Sequence, residues 1–286
     1  MAKARAASKS LSNPVHDDRW RIPDVLWERI EPLLPPRPPH RCGGHNPRVD
    51  DRRAMDAISF VLRTGRQWNA LNATGIGSSS SAHRRFQERT AAGVFVTLWA
   101  TGLQEYDELV GLDREWLAMD GAMIKAPLGG ERVGRDPTDR GELGRKRSLP
   151  TEANGIPVGL AVEGANRHDK EVAEATLESI PADRPEPTPD SPRGMCLDKG
   201  YDYDDTRELV QELGFTAHVR VRDEEAKAIK REAGSKARRW VVERTHNRMN
   251  RFRRILIRWE KRVEDDFGML HLVCAWITYC SAGLLG

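Results

Sequence analysis

Three acidic residues stand where acids are not expected. Asp120 closes the apolar run WLAMDG, and Asp198 closes a second run of the same form, MCLDKG. Glu243 lies among cations in RRWVVERTHNRMNRFRRILIRWEK. From Lys236 to Arg262 eleven Lys or Arg face two Glu, in a chain whose formal net charge is only +3. Short apolar runs bounded by turn residues read as buried strands, so two carboxylates end two core strands and a third sits on a basic helix. Oxygen-only ligands suit Mg²⁺ or Mn²⁺. Two such ions about 3.5 to 4 Å apart could stabilise both the attacking and the leaving oxygen of a phosphodiester displacement. That chemistry explains an acid kept among arginines: the ions need the carboxylate, and a nucleic-acid backbone needs the cations. The competing reading makes Asp120 and Asp198 turn or cap residues and Glu243 a partner of Arg239 or Asn247.

Positioning these acids falls to the surrounding elements. Read as one helix, the arginine-rich stretch carries an apolar stripe of Val242, Thr245, Met249, Phe252, Leu256 and Trp259. Arg239, Asn247, Asn250 and Arg254 fall near Glu243 on one flank, and Arg244, Arg248, Arg251 and Arg258 spread around the rest of the polar surface. Between the two Asp runs come a glycine-rich charged loop (127–146), a hairpin whose second strand lies in IPVGLAVEG, a helix from Asp169 to Ile180 and a proline-rich connection, PADRPEPTPDSPR. A helix in TRELVQEL closed by Gly214, a strand in FTAHVRV and a charged link (222–237) follow. Lys125, Arg145 and Lys146 read either as phosphate contacts or as solvated loop cations. His168 and Asp169 either re-enter the site or cap the next helix.

The first third reads as all-helical. Residues 1–21 form a basic tail without the apolar run of a secretory signal, expected to be disordered. A helix spans 23–34, and a second, capped by Asp50 or Asp51, runs through Leu62 and stops near Gly65. In GIGSSSSAHRRFQERT a turn leads into a helix with His83, Arg84, Arg85, Gln87 and Arg89 outward. That is a DNA-reading helix-turn-helix or a solvated helix face. A further amphipathic helix covers 93–110. Cys42, Cys196, Cys274 and Cys280 have no metal-site spacing and read as reduced thiols of a cytoplasmic protein. The uncharged stretch 267–285 reads as a buried core helix and not a membrane span.

The blocks WLAMDGAMIKAPLGG, PTDRGELGRKRS, GANRHD, CLDKGYDYDDTRELV and RRWVVERTHNRMNRFRR together resemble DDE transposases of bacterial insertion sequences, in the group holding insertion-sequence families four and five. The resemblance covers roughly residues 22–280. It implies an α/β fold with a ribonuclease-H-like catalytic core (112–286), a mixed sheet flanked by helices, preceded by a helical DNA-binding region (22–111). It also implies a catalytic, metal-holding triad of Asp120, Asp198 and Glu243 with two Mg²⁺ or Mn²⁺ ions, and cleavage at element ends followed by strand transfer into target DNA. The partners so implied are double-stranded DNA and a second copy of the chain, in the cytoplasm at the nucleoid. His83, Arg84, Arg85, Arg239, Arg244, Arg248, Arg251 and Arg254 are the expected DNA contacts. Of the group's Tyr, Arg, Glu, Lys signature, Arg239 and Glu243 match, while Lys236 stands at the Tyr position and Asn250 at the final Lys position. A nuclease or resolvase of the same fold, and a non-catalytic DNA-binding regulator, are the alternatives.

Overall fold

The computed structural model describes residues 20–36, 48–180, 193–219 and 240–285. Residues 1–19 of the basic tail, 181–192 of the proline-rich connection, the charged link (222–237) with Lys236, and Arg239 lie outside them. Helix α1 (Asp24–Ile30) starts behind Pro23, whose fixed φ suits a helix start, and runs on into one 3₁₀ turn, Glu31–Leu33. Helix α2 (Asp51–Thr64) is capped by Asp50, whose side chain accepts the Arg53 N–H at 2.9 Å, and ends at Gly65 with φ 71°. Helices α3 (Ser79–Ala91) and α4 (Val94–Leu109) are separated by Gly93, another left-handed residue.

Six strands form one mixed sheet: β1 (Trp116–Lys125), β2 (Gly134–Arg135), β3 (Leu143–Glu152), β4 (Ala161–Gly164), β5 (Gly194–Leu197) and β6 (Thr216–Val219). The main order is β4-β3-β1-β5-β6, with short β2 beside the start of β3. β1 and β4 run antiparallel to β3, whereas β5 runs parallel to both β1 and β6. This order and these directions, with helices on both faces, make a ribonuclease-H-like sheet. Helices α5 (Asp169–Glu178) and α6 (Asp204–Glu212) pack on one another, and α5 covers β3 and β4. Helix α7 (Trp240–Met249) lies over β1 and β3, and α8 (Val263–Ser281) packs against α4 and α3. One continuous apolar core therefore runs from the N-terminal helices into the sheet.

Four sequence expectations about the elements need correction: Arg89, expected outward, is buried on α3 and ion-paired with Asp51 at 2.9 Å, and three concern element bounds. β1 does not end at Asp120; it continues to Lys125, and only its pairing with β5 stops there. The expected loop 127–146 gives its last residues to β3, so Arg145 and Lys146 are buried strand residues. The arginine-rich helix stops at Met249, because Phe252 turns extended and the chain continues through a 3₁₀ turn at Arg253–Leu256. The stretch 267–285 does lie in a buried helix, and no helix among the described residues is long and apolar enough to cross a membrane.

α4 and α8 approach closely at Gly102, where an added Cβ would lie 2.9 Å from the Tyr279 ring. Gly102→Ala is expected to cost about 1–3 kcal/mol by overpacking, read as a fall of roughly 2–4 °C in Tm for each kcal/mol. An unchanged Tm would contradict this close approach. On the same helix His271 is stacked between Trp99 and Phe267, and burial pushes its pKa down to about 4. An unfolded imidazole titrates near 6.5, so the stabilisation from a neutral His271 is complete above that pH and is lost as pH falls towards 4. The drop in Tm between pH 7 and pH 5 should therefore be smaller in His271→Phe than in the parent chain; equal drops would contradict the assignment.

Candidate active site

The parallel ladder of β1 and β5 ends at the pair Met119↔Leu197; Asp120 is the next residue of β1, and Asp198 is the first residue after β5. Neighbouring strands lie about 4.8 Å apart, so the two aspartates stand side by side on the same face of the sheet. Beyond this point β1 keeps only its β3 partner, while the chain after β5 turns away through a 3₁₀ turn at Lys199–Tyr201. Asp198 is the N-cap of that turn and accepts the Lys199 N–H through Oδ1 at 2.5 Å. Asp120 accepts the N–H of Gly121 through Oδ1 at 2.8 Å. Each carboxylate is thus fixed to its own strand by the peptide that follows it, and the expected capping role of Asp198 coexists with its place beside Asp120.

Glu243 comes from α7, which is tied to the sheet and to the turn after β3 by the three residues that follow Glu243. The Thr245 hydroxyl donates to Gly155 O at 2.8 Å, and Arg244 donates to Asn154 O at 2.7 Å. His246 bridges to β3 and β1: its Nδ1 lies 3.0 Å from Arg147 Nη2 and its Nε2 3.4 Å from the carbonyl of Asp120. A guanidinium can only donate, so Nδ1 must accept and Nε2 must carry the hydrogen given to Asp120 O. Burial, then the charge of Arg147, pushes the His246 pKa down to about 3, which keeps the ring in this neutral form. Glu243 lies one helical turn before His246 and roughly 60° around the axis. The structure brings Asp120 and Asp198 together and places Glu243 on the helix above the same strand. Among the described residues no three His, Cys, Asp or Glu gather closely enough to cage an ion. The three carboxylates are nonetheless a hard-oxygen donor set that fits a divalent cation of the Mg²⁺ class.

β3 brings positive charge beneath these acids. Arg145 and Arg147 share the face of Asp120, both fully buried, and Arg147 stands diagonally across from it. Burial and then Arg145 push the Arg147 pKa down to about 9, so the guanidinium still carries its charge at neutral pH. Asp266 on α8 answers Arg145 at 3.1 Å and the equally buried Arg258 at 3.5 Å. Asn250, at the final position of the family signature, faces inward with Oδ1 3.4 Å from Arg147. Lys125 is exposed and ion-paired with Asp139 and Glu142.

The expected DNA contacts divide in the same way. Arg84 and Arg251 are exposed. His83 packs on Trp68, and Arg85 pairs with Glu88 at 2.9 Å. Arg244 lies over Trp240, and Arg248 is half-buried with Nη2 on Ser281 Oγ at 2.8 Å. Arg254 does not belong to a DNA surface: it is buried and its guanidinium is held by Glu260 at 2.7 Å. Arg239 lies outside the described residues. Asp169, expected to cap α5 or re-enter the site, has its carboxylate beside Gly121 and Gly200, ion-paired with Lys146 at 2.8 Å. The signal was present in the sequence as a glycine closely following each strand aspartate, DG and DKG.

Comparison with known proteins follows the same division of the chain. The family described as "Transposase DDE domain" matches residues 111–277, more than half of the chain, and "Putative transposase of IS4/5 family" matches residues 22–99. A Burkholderia cepacia protein described as "Putative transposase for insertion sequence element IS402" is 33% identical over 154 residues, 53% of this chain and 70% of that protein. A second from the same organism, an IS402 "uncharacterized 16.2 kDa protein", is 39% identical over 119 residues, 41% of this chain and 80% of that protein. Among solved structures, a Mos1 transposase paired-end complex is 10% identical with a TM-score of 0.27, covering 80% of this chain and 84% of that one.

The division of arginines into buried and exposed is open to a direct check. Arg254→Ala leaves Glu260 buried without its cation and is expected to cost about 3–5 kcal/mol, whereas exposed Arg251→Ala should change stability by less than about 0.5 kcal/mol. Thermal denaturation of the two variants tests this, and equal Tm values would contradict it.

Proposed function

The chain belongs to the DDE transposases of the IS4/5 group, and from that premise we propose that Asp120, Asp198 and Glu243 are the catalytic, metal-holding residues of this DNA transposase. The observation that carries the reading is the register of β1 and β5, which sets two carboxylates side by side where the ladder ends. The family uses a divalent metal. The finer reading is a pair of Mg²⁺ or Mn²⁺ ions, which when bound stabilise charge on the attacking and leaving oxygens of a phosphodiester. Asp120 and Asp198 would hold them, with Glu243 as the oxygen donor from α7.

The remaining residues orient this set. The Gly121 and Lys199 N–H groups fix one oxygen of each aspartate, and neutral His246 anchors the helix of Glu243 to the backbone of Asp120. Buried Arg147 supplies fixed positive charge near the acids without reaching the solvent. Among the described residues, Arg84, Arg244 and Arg251, with His83 and Arg85, would meet DNA phosphates, without reading sequence. The reaction so supported is hydrolysis at the ends of the element followed by attack of the freed 3′-hydroxyl on target DNA. Two copies of the chain would act on the paired ends, at the bacterial nucleoid.

Labelled terminal inverted repeats with Mn²⁺ or Mg²⁺ test the reading. Asp120→Asn, Asp198→Asn and Glu243→Gln are each expected to lower cleavage by at least about a hundredfold while DNA affinity stays within about threefold. Cleavage retained in any of the three would refute the site. Cut but unjoined products from the parent chain would mean a nuclease.

A further inference from the structure

A single carboxylate from outside the proposed triad occupies the room left by two missing side chains. A Cβ built on Gly121, the residue after Asp120, would come within 2.8 Å of Asp169 Oδ1. A Cβ built on Gly200, two residues after Asp198, would come within 2.9 Å of Asp169 Oδ2. Both distances are shorter than real Cβ contacts, and neither glycine has a positive φ, so it is space and not backbone conformation that an alanine would violate. Lys146 fixes the carboxylate from the other side: Nζ lies 2.8 Å from Oδ1 and donates to Arg167 O at 2.6 Å. Lys146 is itself buried on the face of β3 opposite to that of Arg147. The buried Tyr201 phenol lies in the same corner; burial, then Asp169, Asp120 and Asp198, push its pKa upward.

We propose that Asp169 is a positioning residue for transposition: locked by Lys146, its carboxylate is wedged between the two strand ends and fixes the separation of Asp120 and Asp198. The inference rests on the reading of those two aspartates as metal holders. It differs from a helix cap, because the carboxylate is turned towards the neighbouring strand ends and the ammonium of Lys146. It also differs from a catalytic role, because Asp169 meets the backbone that carries the acids and not the reacting atoms.

The test uses the full chain, with Mn²⁺ binding measured by calorimetry without DNA and cleavage of labelled ends titrated with Mn²⁺. Outer partners of metal ligands typically contribute 10–100-fold in affinity. Asp169→Asn, which keeps the size and removes the ion pair, should weaken Mn²⁺ binding by about tenfold or more. It should raise the Mn²⁺ needed for half-maximal cleavage by the same factor, with the rate at saturating Mn²⁺ within about threefold of the parent. Gly121→Ala should act in the same direction, yet add little in the background of the shorter Asp169→Ser, where the clash is gone. If Asp169→Asn does not fold, Gly200→Ala asks the same question from the other strand. Unchanged Mn²⁺ affinity, a rate that collapses at saturating Mn²⁺, or a Gly121→Ala effect of equal size in both backgrounds would each overturn the proposal. Mn²⁺ binding that survives Asp120→Asn and Asp198→Asn together would instead overturn the reading of the site on which it rests.

Discussion

The parallel register of β1 and β5, strands spaced about 4.8 Å apart, brings two acidic residues to one level, and the rest of the sheet is built around that point. The parallel β1–β5 ladder brings Asp120 and Asp198 level, and the chain after β5 then turns away. Backbone N–H groups donate to each carboxylate, and Gly121 on β1 and Gly200 in the turn after β5 leave room that Asp169 fills. A divalent cation between two such acids would turn repulsion of like charges into binding, and the triad reading joins that chemistry to family membership.

The same constraint reaches the rest of the molecule through β3. Its outward-alternating side chains would be expected on a solvated hairpin, yet Arg145 and Arg147 are buried on one face and Lys146 on the other. Arg147 leads through His246 to α7, and Lys146 leads to α5. Arg145 leads to Asp266 on α8. From α8, Tyr279 fits against Gly102 of α4 and meets Glu105, which is bound to Arg29 of α1. The helical region is therefore anchored into the catalytic half by a continuous run of packing and ion pairs.

What could be read in the sequence was what local rules govern. The Asp50 cap and Gly65 stop of α2, the apolar Asp runs and the buried C-terminal helix all declare themselves through caps, turns and periodicity. The misreadings share one cause. A helical stripe predicts continuity through Trp259, but Arg254 and Arg258 find Glu260 and Asp266 inside the fold, and turning inward breaks the helix after Met249. Likewise GRKRS carries the composition of a loop and forms a core strand because α5, α7 and α8 each bring a partner to it. Partners distant in sequence leave no mark in local periodicity. For Asp169 the sequence left two roles open, site re-entry and helix cap, because the fit of its carboxylate against Gly121 and Gly200 depends on elements distant in the chain.

The central claim is that the strand-end aspartates are a cation site. An anomalous difference map, recorded at the manganese absorption edge from crystals grown with Mn²⁺, locates such an ion directly. The account predicts a peak bridging Asp120 and Asp198. A map with no peak there, or with manganese held only by acids elsewhere on the surface, would contradict it.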